Sequence, residues 1–170
     1  MTIYPLITTE RTYLCTPDHL AFSNIRKLDS DPEIMRYITG GKPRSQAESK
    51  DWIAKRLAEY KRDGFGLMPA YLKENDAFIG WGGLKLLDDT DKIEVGYRFD
   101  KLYWGQGFAT EITKAVIEYA HKELGIEQLV AVTDLENEAS KNVLIKSGFQ
   151  YISKAHHYDT EVDYFEINLQ

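Results

Sequence analysis

The most informative stretch of this chain runs Tyr103-Trp104-Gly105-Gln106-Gly107-Phe108-Ala109-Thr110-Glu111. Two glycines and an alanine alternate here with larger residues, directly before an amphipathic segment that predicts a helix. Such a loop leaves backbone N–H groups uncovered, and the helix behind it adds roughly half a positive charge at its N-terminus. Residues 93–99, Ile-Glu-Val-Gly-Tyr-Arg-Phe, come before the loop and have the composition of a strand. The order strand, glycine loop and helix predicts a phosphate-binding seat built from backbone.

Three kinds of phosphate site compete for this loop. A Walker A loop needs a Lys followed by Ser or Thr after the last glycine, and neither stands there. A Rossmann fingerprint needs a third small residue where Thr110 stands, and an acidic residue about 20 positions later. Asp134 follows the predicted strand 129–133 but lies late for that role, and the loop itself comes after more than half of the chain. The third kind is a site for the pyrophosphate of coenzyme A.

Two ordered motifs make the coenzyme A interpretation specific. Glu-x-Gly-Tyr-Arg, followed by Tyr-Trp-Gly-x-Gly-x-Ala-Thr-Glu, resembles motif A of the GNAT N-acetyltransferases, closest to the branch that acetylates ribosomal-protein N-termini and polyamines. Asn137-Glu138-Ala139-Ser140, followed by Lys146-Ser147-Gly148-Phe149, is similar to motif B of that family. The resemblance covers nearly the whole chain. It implies the GNAT acyl-CoA N-acyltransferase fold, an α/β (α+β) fold with a central mixed twisted sheet flanked by helices, as a single N-acetyltransferase domain over residues 1–170.

The resemblance also implies which residues bind acetyl-CoA. In GNAT enzymes the strand before the loop carries a bulge and diverges from its neighbour, which leaves backbone groups to bind pantetheine. One backbone N–H there faces the acetyl oxygen as an oxyanion-hole donor. The implied cofactor-binding residues are Tyr97, Arg98 and Phe99 for pantetheine, Trp104, Gly105, Gln106, Gly107, Phe108 and Ala109 for the pyrophosphate, Asn137 for the pantetheine arm and Ser140 near the thiol.

Two positions depart from the family pattern. Trp104 stands where the broad family has Arg or Gln, so a side-chain contact to the phosphates is lost while the backbone contacts remain. Many relatives carry a tyrosine, the general acid, seven residues after the motif B asparagine, and here that position is Leu144. Ser140 is the nearest substitute by sequence, although its hydroxyl is a weak acid. A protonated amine or a water molecule could also protonate the thiolate.

Glu94 is the leading candidate for the general base, because it precedes the pantetheine-binding residues on the same strand. An acceptor ammonium has a pKa near 10 and must lose a proton before it attacks. A carboxylate can accept that proton through a chain of water molecules, and burial would raise its pKa toward the working pH. The expected reaction is direct transfer of acetyl to a primary amine in a ternary complex.

The bulk properties agree with this class of protein. A formal charge of −6 argues against a nucleic-acid partner. Cys15 is the only cysteine, which favours a reducing compartment. The first residues lack a basic start or a long apolar run, so no leader is predicted. Together with the absence of a long apolar segment, these features predict a cytoplasmic protein without membrane contact.

The histidines lack metal-site spacing, so we expect no metal. We also expect a homodimer, because exposed strand edges favour pairing between subunits.

The pattern along the chain predicts the order of elements that the GNAT fold has. Residues 9–14 predict a strand, Thr16 caps a helix that starts at Pro17, and a short helical piece spans residues 31–37. Ser45-Gln46-Ala47-Glu48 is a capping box for a helix that ends before Gly64. Pro69 suggests that its strand is an edge or has a bulge. The remaining predicted elements are strands 67–72 and 77–86, helix 107–124, helix 138–147 and strands 149–154 and 163–169.

Two other functions stay open at the level of sequence. A CoA-binding regulatory or interaction module without turnover is suggested by Leu144, and a Rossmann-type nucleotide-binding module is suggested by Asp134. The acceptor amine, whether a protein N-terminus, a polyamine or another small amine, is not encoded in a motif. In the family it would lie against residues 30–45 and 155–164. These segments carry a mixed set of charges, including Arg36, Arg44, Asp159, Glu161 and Asp163.

Overall fold

The computed structural model describes residues 4–170. The expectation about a leader rests partly on residues 1–3, which lie outside that range. The strands are β1 (Ile7–Thr8), β2 (Thr12–Leu14), β3 (Leu67–Leu72), β4 (Phe78–Leu86), β5 (Ile93–Phe99), β6 (Gln128–Asp134), β7 (Gln150–His157) and β8 (Thr160–Asn168). The helices are α1 (Phe22–Asp29), α2 (Arg36–Thr39), α3 (Gln46–Asp63), α4 (Phe108–Lys122) and α5 (Glu138–Lys146). Within residues 4–170, none of the helices could span a membrane.

The strands form one mixed sheet in the order β1-β2-β3-β4-β5-β6-β8-β7. Neighbours pair antiparallel except β5 and β6, which run parallel because α4 connects them. This sheet confirms the predicted mixed architecture. Helix α4 begins beside the carboxyl end of β5, so the glycine loop lies next to the one parallel pairing that the structure describes.

Strand alternation divides the buried side chains between the two sides of the sheet. Val95 and Phe99 of β5 pack with Ile112 and Val116 of α4 in one hydrophobic cluster. The opposite side, facing α1 and α3, carries a second cluster of Leu20, Ile25, Leu28, Ile34, Leu67 and Trp81. Glu94 and Arg98 alternate with Val95 and Phe99, so they point toward this second side.

Helix α3 confirms the predicted capping box. Ser45 Oγ accepts a hydrogen bond of 3.1 Å from the N–H of Glu48, and the Glu48 carboxylate accepts one of 3.1 Å from the N–H of Ser45. The helix ends at Gly64, whose φ of +78° lies in the left-handed region. Both signals involve groups three or four residues apart, which is why the sequence alone was sufficient.

The predicted start of the first helix was wrong. Pro17–His19 form only a 3₁₀ turn, and α1 begins at Phe22, because Leu20 and Ala21 are extended. Thr16 caps no backbone N–H; its hydroxyl instead donates to the carboxylate of Asp18. Two further predictions had shifted bounds: the strand predicted at residues 9–14 shortens to β2, with β1 before it, and the piece predicted at residues 31–37 becomes α2, Arg36–Thr39.

Pro69 was predicted to mark an edge strand or a bulge. The prediction of an edge strand was wrong, because β2 pairs with β3 on the side away from β4. Cys15 N–H also donates to Pro69 O at 3.1 Å. A bulge does lie beside it: the β3–β4 register shifts between Ala70 and Tyr71. The edges of the sheet are β1 and β7.

Candidate active site

Strands β5 and β6 diverge beyond their amino-terminal ends. Within residues 4–170, their pairing consists of Glu94↔Val130, whereas β5 pairs with β4 along its whole length. The divergence agrees with what the resemblance implied. The implied bulge in β5 was wrong, because the β4–β5 register runs without a shift from Gly80↔Phe99 to Leu86↔Ile93. The two strands therefore diverge without a bulge in β5.

Backbone groups of β5 point into the gap between the strands. Asp100 N–H donates to Ile79 O at 2.9 Å, so alternate residues back along β5, including Arg98, direct their backbone groups toward β4. The groups of Tyr97 and Phe99 therefore face β6. Trp104 Nε1 donates to Phe99 O at 2.9 Å, which agrees with that direction. The N–H groups of Tyr97 and Phe99 are thus directed into the gap.

The glycine loop adopts a conformation that side chains disfavour. Gly105 has a φ of +73° and Gly107, the residue before α4, a φ of +83°. A Cβ on Gly105 would meet no atom within 4 Å, so its surroundings are open toward solvent. Gly107 offers no side chain to cap α4, and the first N–H groups of that helix are left for another acceptor. These features suit an anion such as a pyrophosphate.

Arg11 of the β1–β2 connection anchors this loop, and sequence analysis missed it. Its Nη1 donates to Gln106 O at 2.9 Å, its Nε pairs with Glu111 Oε1 at 2.8 Å, and its guanidinium lies 4.0 Å from the centre of the Phe108 ring. Thr9 Oγ1 also donates to Glu111, at 2.6 Å. A guanidinium is therefore supplied to the glycine loop by a segment distant in sequence, while the motif position itself carries Trp104.

Motif B meets β5 on the α4 side of the sheet. Asn137 caps α5, accepting a hydrogen bond of 3.2 Å from the N–H of Ser140. Ser140 Oγ lies 2.7 Å from the hydroxyl of Tyr97. Burial raises the pKa of Tyr97 to about 12, so its hydroxyl is protonated at neutral pH. Leu144 is 1% exposed and packs in the hydrophobic core. A tyrosine hydroxyl therefore does reach Ser140, but it comes from β5 instead of α5.

Glu94 is a buried carboxylate with two polar partners. It is 6% exposed, accepts a hydrogen bond from the hydroxyl of Tyr158, and lies 3.7 Å from Lys85 Nζ. Burial raises the pKa of Glu94 above its ordinary value, and Lys85 and Tyr158 partly oppose that shift. A raised pKa brings a carboxylate closer to the range in which it exchanges protons near neutral pH.

The turn between β7 and β8 holds Tyr158 over Glu94. Tyr158 and Asp159 have φ values of 54° and 59°, a left-handed conformation that is uncommon for residues other than glycine. Asp88 fixes this turn from the β4–β5 connection, because its carboxylate accepts a hydrogen bond of 3.0 Å from the N–H of Tyr158. Tyr158 lies within residues 155–164, which the resemblance placed against the acceptor, but no motif singled it out, and the sequence gave no signal for Lys85.

Arg98 lies away from the phosphate loop. Its side chain, 7% exposed, donates to Asp29 at 3.1 Å and lies over the Trp81 ring at 5.0 Å. Burial lowers the pKa of Arg98 to about 9. Of the three β5 residues predicted to bind pantetheine, Tyr97 and Phe99 are those whose backbone groups face the gap.

The acidic residue that suggested a Rossmann site has a local explanation. Asp134, which suggested a Rossmann acid, accepts a hydrogen bond of 2.9 Å from the N–H of Glu136 and so stabilises the turn after β6. Among residues 4–170, no group of three or more His, Cys, Asp or Glu side chains could hold a metal ion.

Comparison with solved structures shows the same fold. An acetyltransferase from Agrobacterium tumefaciens superimposes with a TM-score of 0.84 at 23% identity, covering 99% of this chain and 96% of the other. RimL, a ribosomal L7/L12 N-terminal acetyltransferase solved with coenzyme A, gives a TM-score of 0.77 at 16% identity, covering 99% and 98%.

Sequence comparison identifies the family. The chain is 29% identical over 168 residues to FsC-acetyl coenzyme A-N(2)-transacetylase of Aspergillus fumigatus, covering 92% of this chain and 70% of that protein. It is 26% identical over 163 residues to YkkB, an uncharacterised protein of Bacillus subtilis, covering 95% and 94%. The model of the acetyltransferase (GNAT) domain matches residues 12–150. The chain therefore belongs to the GNAT acetyltransferase family.

Proposed function

We propose that this acetyltransferase uses acetyl-CoA to acetylate a primary amine by direct transfer in a ternary complex. The observation that carries the proposal is the gap between β5 and β6. The glycine loop lies at its open end, and the buried Glu94 lies where the two strands still pair. Two similar proteins support the donor: microcin self-immunity protein MccE was solved with acetyl-CoA and AMP, and RimL with coenzyme A. The acceptor is a protein N-terminus, a polyamine or another small amine.

Glu94 acts as the general base in this proposal. It takes a proton from the acceptor ammonium, through water, and the free amine then attacks the thioester carbon. The oxyanion that forms is stabilised by a backbone N–H of Tyr97 or Phe99. Attack forms the N–C bond, and collapse of the oxyanion then breaks the C–S bond. The nitrogen of the new amide releases its remaining extra proton to water, which balances the proton that the departing thiolate takes up.

The departing thiolate takes its proton from Ser140, whose hydroxyl is paired with that of Tyr97 at 2.7 Å. Asn137 orients this region by capping α5, and the pantetheine arm lies between Asn137 and β5. Direct transfer needs no covalent enzyme intermediate. Cys15 agrees with that, because it is fully buried and burial raises the pKa of its thiol, which keeps it from becoming a nucleophilic thiolate.

The pyrophosphate is bound by the loop of Trp104, Gly105, Gln106, Gly107, Phe108 and Ala109. Saturating acetyl-CoA should raise the melting temperature by mass action, and Gly105→Leu should abolish that rise because a side chain blocks close approach to the backbone. Gly125→Leu is the matched control: Gly125 has a φ of +67° and also no neighbour within 4 Å of a built Cβ. An unmoved melting temperature in the unsubstituted protein would contradict the proposed donor.

Turnover separates this proposal from a CoA-binding module that lacks activity. Leu144 motivates that alternative, since it packs in the core and donates no proton. Release of free thiol from acetyl-CoA, measured with a panel of primary amines, decides between them. Binding of acetyl-CoA without amine-dependent thiol release would favour the inactive module. We further propose a cytoplasmic location, supported by the single buried cysteine, and a homodimer.

A further inference from the structure

A layer of arginines, two buried and one partly exposed, lies between the sheet and helices α1 and α3. We use the name arginine layer for Arg44, Arg56 and Arg98. Arg98 lies on the side of β5 that also carries Glu94, four residues away, which places their Cα atoms about 13 Å apart along the strand. The layer therefore occupies the base side of the gap and not the side that carries Ser140.

Two guanidinium groups of this layer share one carboxylate. Arg98 Nη1 and Arg44 Nη1 lie 3.1 Å and 3.2 Å from the same oxygen, Asp29 Oδ1. The other oxygen of Asp29 accepts a hydrogen bond of 2.6 Å from Ser49 Oγ. Asp29 is thus saturated, yet its single negative charge faces two positive ones.

Arg56 packs against a tryptophan of this side. Its Nη2 lies 3.0 Å from Glu59 Oε1, and its guanidinium lies 5.1 Å from the Trp52 ring. Trp52 stacks on Trp81, which in turn lies under Arg98. Among residues 4–170, the buried atoms without a hydrogen-bond partner include Nε of both Arg56 and Arg98, as well as Glu59 Oε2.

The charges of this region do not balance. Its cations are the three layer arginines and Lys85; its carboxylates are Asp29, Glu59 and Glu94. Within this set the cations outnumber the carboxylates by one, and Arg26, which donates to Ser49 and to the backbone of Arg44, adds another. Asp100, buried on the same side, is paired with Lys27. The whole chain, by contrast, carries −6. Arg56, Arg98, Asp29 and Glu94 are the buried charged groups of this set, so its surplus positive charge lies on the partly exposed Arg26, Arg44 and Lys85. An added anion would balance that surplus. Burial lowers the pKa of both Arg56 and Arg98.

We infer that the acceptor is a small amine that also carries an anionic oxygen group, a carboxylate or a phosphate, which the arginine layer binds while the amine lies at Glu94. This inference rests on the proposed function and narrows its acceptor. Arg44 is the accessible member, with 19% of its side chain exposed. Guanidinium groups bind carboxylate and phosphate oxygens through paired N–H donors. The separation along β5 favours an acceptor with several bonds between its amine and its anion.

Matched acceptors test the inference. Aminobutanoate, aminopentanoate and aminohexanoate are each compared with the n-alkylamine of equal chain length and with the corresponding aminoalkyl phosphate, by thiol release from acetyl-CoA. At least one anionic acceptor should have a kcat/KM about tenfold or more above its alkylamine. Whichever series, the carboxylates or the phosphates, has the larger kcat/KM identifies the anion that the site prefers. Equal or faster acetylation of all the alkylamines would overturn the inference.

Variants connect the preference to the layer. Arg44→Gln should remove most of the preference for the anionic acceptor while acetylation of the alkylamine continues. Arg62→Gln is the matched control, because Arg62 pairs with its neighbour Asp63 on the surface. Arg56→Gln provides a second test in protein whose fold is verified by circular dichroism. A preference that survives in both layer variants would assign anion binding elsewhere and overturn the proposal.

Failure of the proposed function is distinguishable from failure of this inference. Acetyl-CoA that raises the melting temperature, with thiol release from alkylamines but no anion preference, retains the function and rejects the inference. If no amine is acetylated, calorimetry can still measure how tightly each acceptor binds to the CoA-saturated protein, and this tests the anion site separately. Tighter binding of aminohexanoate or aminohexyl phosphate than of hexylamine supports the anion site, and equal or absent binding rejects it.

Discussion

Glu94 is the residue on which the proposed chemistry depends most. Its carboxylate is buried, its pKa is raised by that burial, and its polar partners Tyr158 and Lys85 keep it in one orientation. A solvated glutamate would have a pKa too low to accept a proton efficiently near neutral pH. Burial and partner geometry are therefore what suit this particular carboxylate to a base.

Replacing Glu94 with Gln should lower kcat by about 10²–10⁴-fold, the usual contribution of a positioned general base. The affinity for acetyl-CoA should stay near that of the unsubstituted enzyme, because Glu94 lies on the other side of β5 from the Tyr97–Ser140 pair. Raising the pH should partly restore the rate, since more acceptor amine is then uncharged. Steady-state kinetics check this, and full activity of the variant at neutral pH would place the base elsewhere.

Tyr158 should set the pH at which Glu94 becomes active. Its hydrogen bond stabilises the carboxylate and lowers the pKa of Glu94, so Tyr158→Phe should raise that pKa. The acidic limb of the kcat/KM profile should consequently move to higher pH. Tyr151→Phe is the control, since Tyr151 packs against Phe165 on β8. An unchanged acidic limb in Tyr158→Phe would show that this hydrogen bond does not tune the base.

At the scale of elements, the glycine loop is tied to the β1–β2 connection. Arg11→Met should raise KM for acetyl-CoA about tenfold while kcat at saturation changes little, because the loop loses its bond to Gln106 O and its pairing with Glu111. Arg62→Met on the surface serves as the control. A double-mutant cycle between Arg11 and Glu111 should show coupling. A drop in kcat with unchanged KM would exclude the anchoring role.

Helix α3 offers a prediction about stability. Ser45→Ala removes one half of the capping box and should destabilise the protein by about 1 kcal/mol. For a chain of this size that corresponds to a melting temperature lower by about 2–4 °C. Thr16→Ala should have a smaller effect, because Thr16 caps no backbone N–H. Calorimetry gives the melting temperature of both variants, and equal decreases in melting temperature would contradict the capping argument.

At the scale of the whole molecule, β7 is an open sheet edge. Tyr151 and Ile152 of β7 are half exposed, and the β7–β8 register shifts beside them. Uncovered strand edges with apolar side chains favour pairing with another chain. Sedimentation equilibrium at micromolar concentration should show a homodimer, and Ile152→Lys should shift it toward monomer. Monomer alone in the unsubstituted protein would rule the dimer out.

The sequence by itself determined those features whose causes lie within a few residues. The glycines at 105 and 107 predicted a backbone cradle before α4, and both have positive φ. The capping box predicted the start of α3, because a serine and a glutamate three residues apart satisfy each other's backbone groups. Motif order predicted the family and its mixed sheet, since the motifs preserve the succession of strand, loop and helix.

Only the tertiary structure decided which distant residues meet. Arg11 reaches a loop 95 residues away, and Tyr158 reaches a glutamate 64 residues away. Neither contact leaves a local pattern, because alternation along a strand fixes which face a side chain occupies but not what lies opposite. The same holds for Arg98: sequence placed it on β5, and packing of α1 and α3 decided that its guanidinium faces Asp29. Charge balance around that layer is a property of the fold, because the arginines, Lys85 and their carboxylate partners come from five separate segments of the chain.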